Sequence, residues 1–152
     1  MSHINNDDEV ELLSFRLGEQ EYCVDIMSVR EIRGWTKATP LPFAPPHVRG
    51  VINLRGTVLP VVDLSVRLGM APISGEERNV IVVVSVEGQM AGLLVDAVSD
   101  IVSLRREEMQ PPPKLSDDAS ARCIEALLLI DDKLIRVLEL ATVLESNQQD
   151  AA

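Results

Sequence analysis

The second half of this chain repeats the first. Displaced by 69 positions, Phe15 falls on Val84, Leu17 on Val86, Val24 on Leu93, Ile26 on Val95, Val29 on Val98, Glu31 on Asp100 and Ile32 on Ile101. Displaced by 76 positions, Leu54 falls on Ile130, Val58 on Leu134, Val61 on Val137, Asp63 on Glu139 and Leu64 on Leu140. Such a repeat limits the architecture, because each half of about 55–65 residues carries about five short strands. That is too few for a two-sheet sandwich. It suits a small closed barrel, which leaves no open edge to template aggregation. One barrel of this size is marginal alone. Two of them side by side would share a third apolar layer.

The strands follow from alternation. Leu13, Phe15 and Leu17 alternate, Gly18–Glu21 is a turn, and Tyr22, Val24 and Ile26 alternate again. Val29, Glu31 and Ile32 lead to Arg33-Gly34-Trp35, and the proline-rich Thr39–Pro46 excludes regular helix or a central strand. Residues 65–78 read as a polar turn region. The second half opens with Asn79–Val86, turns at Glu87-Gly88-Gln89 and returns through Ala91, Leu93 and Val95. After Pro111-Pro112-Pro113 a short helix capped by Ser116 or Asp117 is expected. A strand ending near Ile130, a turn at Asp131-Asp132, a strand over Lys133–Leu140 and a terminal helix from about Leu138 complete the pattern. Residues 1–11 and 145–152 are expected to be flexible tails.

The densest stretch is RGVINLRGTVLPVVDL, Arg49–Leu64. Its β-branched residues favour extended backbone, and Gly56 can supply the positive φ of a tight turn. Leu54 and Val58 are core candidates. Arg55 instead places a guanidinium at a loop tip, where binding residues often lie.

Composition narrows the function classes. The 152 residues are 46% apolar but only 3% aromatic, so the core is aliphatic. The net charge of −10 repels phosphate backbones and anionic membrane surfaces. No segment approaches the roughly 20 apolar residues of a membrane span. The start, MSHINNDDEV, lacks the basic and apolar regions of a secretory signal. Cys23 and Cys123 read as buried small apolar residues; a disulfide between them is compatible with the sequence but nothing requires it.

Catalytic and cofactor signals are weak. His3 lies in the tail, His47 follows Pro45-Pro46, and neither neighbours a nucleophile motif. Zinc, calcium, P-loop and GxGxxG patterns do not occur. Asp25, Asp63 and Asp96 lie in or beside apolar strands, so a small ligand-binding or hydrolytic β-barrel using them is the rival class. Each also fits an outward or strand-end structural role. Trp35 fits equally a lid over the core and an interface anchor. What remains is an adaptor, with two similar halves offering separate surfaces.

VDIMSVREIRG (Val24–Gly34), PPHVRGVINLRGTVLPVVDL (Pro45–Leu64) and GLLVDAVSDIVSL (Gly92–Leu104) resemble the bacterial chemotaxis coupling protein family, CheW. The likeness runs from Phe15 to Leu144. It implies a mostly β fold: two intertwined five-stranded SH3-like β-barrels, with short helices in connections and at the C-terminus. One domain would span residues 12–144, with pseudo-repeat halves at about 15–68 and 84–144. It implies a cytoplasmic adaptor without enzymatic activity or cofactor, recruited to membrane-associated receptor arrays. There it would join the cytoplasmic tips of methyl-accepting chemoreceptors to the regulatory domain of the histidine kinase CheA.

The receptor-binding positions carried over are Val29, Glu31, Gly50, Arg55 and Val98, in a groove between the barrels. The valines would take an apolar helical tip, and Glu31 and Arg55 would orient it. The main kinase contact is implied at apolar barrel ends of the first half. A second, ring-forming kinase contact falls at Gln110, Lys114 and Leu115, where this chain departs in charge from the family pattern. It departs again at Ile124-Glu125-Ala126, where the family commonly has a glycine and a tight turn. Only eight residues follow Leu144, so the module is expected to stand without a fused receiver domain. Adaptors of non-flagellar pathways, such as surface motility or biofilm formation, fit the same resemblance.

Overall fold

The structure, a computed structural model, describes residues 8–113 and 119–145. Ten strands are present among them: β1 (Glu9–Leu17), β2 (Gln20–Asp25), β3 (Val29–Gly34), β4 (Val48–Leu54), β5 (Thr57–Asp63), β6 (Val80–Val86), β7 (Gln89–Val95), β8 (Ala97–Arg105), β9 (Ile124–Ile130) and β10 (Lys133–Leu138). β1 begins inside the stretch read as a polar tail. Val10 and Leu12 are buried there and pair with Leu104 and Val102 of β8, and that burial carries the strand back to Glu9.

Short helices occupy Leu64–Arg67, Ala119–Arg122 and Leu140–Val143. The first lies where only polar turn was expected. The Asp63 carboxylate accepts from the Val66 N–H at 3.3 Å, and buried Leu64 anchors the turn. Ser116 and Asp117, the expected caps of the second, lie outside the described residues. β10 ends at Leu138, two residues before the expected limit, and the last helix follows at Leu140.

Two five-stranded sheets result, in the orders β8-β1-β2-β10-β9 and β3-β6-β7-β5-β4. Neither sheet is one half of the repeat. Each takes the opening hairpin of one half and the three later strands of the other. The side-by-side arrangement of two self-contained halves is therefore replaced by the intertwined one. Exchanging β1–β5 with β6–β10 turns one strand order into the other, so the repeat survives as an internal two-fold of the topology. Parallel pairings β2–β10 and β5–β7 close the exchange in each sheet.

The symmetry extends to irregularities. β4 and β5 slip between Val48 and Gly50, leaving Arg49 as the extra residue, and β9 and β10 slip between Val137 and Leu138, leaving Glu125. The Asp63 N–H donates to the His47 carbonyl at 2.7 Å, as the Glu139 N–H does to that of Cys123 at 2.6 Å. No glycine was needed at Ile124-Glu125-Ala126, because a bulge and not a tight turn starts β9.

Burial divides into two clusters. Val10, Leu12, Cys23, Ala126, Leu128, Ile135 and Val137 fill the inside of the first sheet. Leu13, Phe15, Leu17, Tyr22 and Val24, from the same two opening strands, join residues of the second sheet such as Val82, Leu93 and Leu59 in the larger cluster. β1 and β2 are thus buried on both faces, and the apolar layer expected between the units is this one. Each such side chain contributes about 1.5–3 kcal/mol by leaving water.

Candidate functional site

The hairpin β4–β5 turns on two residues. Leu54 pairs with Thr57, and Arg55 and Gly56 take φ of 49° and 87°. Positive φ at both central positions matches the right-handed twist of the strands. The cost of left-handed backbone at Arg55 is offset locally, since the Gly56 N–H donates to Asn53 Oδ1 at 2.8 Å. The turn holds the guanidinium out from the sheet, with the side chain 71% exposed.

Its partner comes from 24 residues earlier in the chain. Arg55 Nη2 donates to Glu31 Oε1 at 2.6 Å, and Arg33 Nη1 donates to Glu31 Oε2 at 3.0 Å. Both oxygens of one carboxylate are thereby held between two guanidiniums. The hydrogen bond from Arg55, then that from Arg33, keeps the Glu31 carboxyl below the usual carboxylate range. Arg33 had no place among the expected site residues. Its signal was its spacing, two residues from Glu31 on a strand, which returns to the same side.

The other expected positions divide. Val29 opens β3 opposite Val84, two residues before Glu31, and is half-buried against the larger cluster. Val98 stands opposite Phe15 on β8, in the other sheet, half-buried against the same cluster. Gly50 is buried in β4 at φ 144°, with the Thr39 backbone passing so close that a Cβ would overlap the Thr39 carbonyl. Its observed task is to let that segment through. Val58 is 64% exposed, against the core position expected for it. It pairs with exposed Asn53, and cross-strand partners share a face. Beside it runs a shallow cleft of about 310 Å³ whose wall includes Arg33, Lys37, Asn53 and Val58.

Gln110 exchanges backbone hydrogen bonds of 2.9 and 2.7 Å with Leu127 at the edge of β9, while Lys114 and Leu115 lie outside the described residues. Trp35 is half-buried against the larger cluster, its N–H donating to the Asn79 carbonyl through the backbone at 3.1 Å.

The carboxylates of the rival class do not converge. Asp25 caps a 3₁₀ turn by accepting from Met27 N–H at 2.9 Å. Asp96 accepts from Gly18 N–H at 2.6 Å. Asp63, 1% exposed, binds Arg49 at 3.1 Å and accepts from Ile73 N–H at 3.0 Å. Each is committed to a separate structural bond, so the three form no acid–base pair with one another. His47 is half-buried, and burial, then the Arg67 charge, pushes its pKa down. No cluster of three or more His, Cys, Asp or Glu able to hold a metal occurs among the described residues. No helix among them is long and apolar enough to cross a membrane.

The arrangement offers an exposed, polarised contact beside apolar surface, and it suits recognition of another macromolecule. Comparison with known proteins points the same way. The family model for the CheW-like domain matches residues 11–148. The chain is similar to the chemotaxis protein CheW of Rhizobium meliloti, 49% identical over 99% of this chain and 96% of that one. It is similar to a probable chemotaxis protein CheW of Rhizobium etli, 48% identical over 97% and 95%. Among solved structures, the scaffolding protein TtCheW of Thermoanaerobacter tengcongensis superposes with a TM-score of 0.82, 33% identity, and coverage of 91% of this chain and 89% of that one. With its doubled, strand-exchanged β-fold and matching sequence along nearly its whole length, this chain belongs to the CheW-like domain family.

Proposed function

We propose that this protein is a non-enzymatic chemotaxis scaffold that takes the cytoplasmic tip of a chemoreceptor at the Glu31–Arg55 face and holds the histidine kinase CheA, by its regulatory domain, on another surface. The ion pair at 2.6 Å carries the reading. It is exposed, it joins two strands distant in sequence, and surface pairs of this kind contribute little to stability. Its alignment is better spent on orienting a partner. Val29 and Val98 supply apolar contact on either sheet, and Gly50 shapes the strand behind Arg55. The protein works in the cytoplasm, brought to membrane-associated arrays by its receptor. A ring-type kinase contact would fall at Gln110, Lys114 and Leu115.

Capture assays with a receptor cytoplasmic fragment and the CheA regulatory domain test this. Both should be retained by the wild-type chain. Arg55→Ala should weaken receptor capture about tenfold with kinase capture and thermal midpoint unchanged. Binding to neither partner refutes the function, and unchanged receptor affinity in the variant refutes the placement of Arg55.

A further inference from the structure

The internal two-fold relates two outer faces that differ in chemistry. The isolated bridge between Thr39 and Val51 in the second sheet matches that between Gln110 and Leu127 in the first, since Leu127 follows Val51 by the 76 positions of the repeat. The hairpin pairs match as well: Asn53 stands opposite Val58 as Leu129 stands opposite Leu134, and all four are exposed. Arg33 falls on Val102, 69 positions later. Where the first sheet has Val102 and Leu129, the second therefore has Arg33 and Asn53. One backbone frame accepts valine and leucine at these places, so stability does not call for the arginine and the asparagine.

On this face of the second sheet lies the cleft of about 310 Å³ beside Val58. Arg33, Lys37 and Asn53 give it donors, Val51 and Val58 give it an apolar wall, and no acid among the described residues lines it. The donors are largely unspent. Arg33 Nη1 bonds Glu31, but its Nε is buried with no hydrogen-bond partner among the described residues. Buried donors are nearly always paired, so this one calls for an acceptor. Asn53 Oδ1 accepts from the Gly56 N–H, which leaves its amide NH₂ group to donate elsewhere. Lys37 is exposed and forms no ion pair among the described residues.

On a chain of net charge −10, a cleft with two cations and no acid of its own selects an anionic group from a partner. Guanidinium and ammonium donors beside an apolar wall suit a carboxylate on a short alkyl stem, the side chain of aspartate or glutamate. The cleft is continuous with the Glu31–Arg55 pair, because Arg33 and Arg55 bond the two oxygens of one carboxylate. We propose that the cleft is a subsite for one acidic side chain of the chemoreceptor tip, held by Lys37 and Arg33, with Val51 and Val58 against its stem. This rests on the function proposed above. Arg55 then meets the tip at the hairpin turn, and Lys37 and Arg33 determine which tips are accepted.

Capture of a receptor cytoplasmic fragment by the full chain, measured over a range of salt, tests the subsite. Lys37→Glu should weaken capture about tenfold and Lys37→Met about threefold, with kinase capture and thermal midpoint unchanged. Affinity should fall less steeply with salt in Lys37→Met than in wild type, a change that a purely structural role would not produce. Asn53→Asp keeps the oxygen that accepts from the Gly56 N–H, adds a carboxylate to the cleft and should weaken capture in the same way. Reversing one acidic residue of the receptor tip to lysine should restore capture by Lys37→Glu and weaken capture by wild type. Unchanged affinity in Lys37→Glu and Asn53→Asp, failure of every such reversal to restore capture, or loss of kinase capture in place of receptor capture overturns the subsite. If Arg55→Ala still weakens receptor capture in those cases, the proposed function stands without the subsite. A wild-type chain that captures no receptor removes both.

Discussion

Replacing Gly50 by alanine separates a contact residue from a structural one. At φ 144° an L side chain is strained, by about 1–3 kcal/mol. The added Cβ would overlap the Thr39 carbonyl oxygen and lie 2.5 Å from its carbon and 2.9 Å from Pro40 N. All three neighbours are backbone, so no rotamer change relieves the overlap. The Thr39–Pro40 segment must move, and it is held by hydrogen bonds of 2.9 Å in both directions with Val51. Losing both adds about 1 kcal/mol each. The total, about 3–5 kcal/mol, is a large share of the roughly 5–15 kcal/mol that a domain has. At about 2–4 °C per kcal/mol for this size, the thermal midpoint should fall by about 6–20 °C. Circular dichroism melts measure the midpoint, and capture of the receptor fragment well below it measures the site. Gly50→Ala should still capture when cold and lose capture in step with unfolding. A midpoint within about 2 °C of wild type together with lost capture would refute the packing argument and make Gly50 a direct contact.

Two further expectations concern buried groups. Asp63→Asn leaves the half-buried Arg49 without its charge partner and weakens the bonds that the buried Asp63 carboxylate accepts from the Ile73 and Val66 N–H groups; it should lower stability by about 1–3 kcal/mol in urea unfolding, and a loss under about 0.5 kcal/mol would show the pair to be dispensable. Burial, then the Glu21 and Glu125 charges, pushes the Cys23 thiol up to about 12, and burial pushes Cys123 up as well. A disulfide reagent at pH 8 should therefore label the native protein slowly and the urea-unfolded protein at once, and rapid labelling of both thiols in the native state would contradict that burial.

Local chemistry was legible in the sequence, and long-range partnership was not. Alternation and turn residues located the hairpins, and the repeat anticipated the internal two-fold. The exchange of strands between sheets left no mark in the periodicity, because both halves present equivalent edges and periodicity records only which face is buried; it was legible only through the family resemblance, which implies intertwined barrels. Alternation alone puts Val58 inside, and the turn puts it outside. A two-residue loop sets Asn53 opposite Val58 and Ile52 opposite Leu59, so Val58 shares the outer face while Leu59 goes inward. The helix Leu64–Arg67 was hidden among polar letters, although Asp63 three residues before Val66 was a usable cap signal. Glu31 and Arg55 were each named through the resemblance. Their meeting depends on the β3–β6–β7–β5–β4 order and could not be read from either segment.

The two-fold also sharpens what the Glu31–Arg55 pair does. It maps Glu31 onto Asp100 and Arg55 onto Asp131, which occupies the β9–β10 turn at φ 51° as Arg55 does at 49° in its own. The equivalent place in the other sheet holds two acids, so the polarised Glu31–Arg55 pair has no counterpart there. Within the pair the roles are unequal. Glu31 is 26% exposed and locked between two guanidiniums, whereas Arg55 is 71% exposed at a loop tip. On the proposed function, Arg55 is therefore the group expected to meet the receptor, with Glu31 positioning it. A double-mutant cycle on receptor affinity distinguishes this from direct contact by both. Glu31→Gln in the wild-type background should lose part of the effect of Arg55→Ala, because the guanidinium then samples more orientations. In the Arg55→Ala background the same substitution should change affinity by less than about twofold, since nothing is left to position. Equal losses in both backgrounds would place the Glu31 carboxylate on the partner itself.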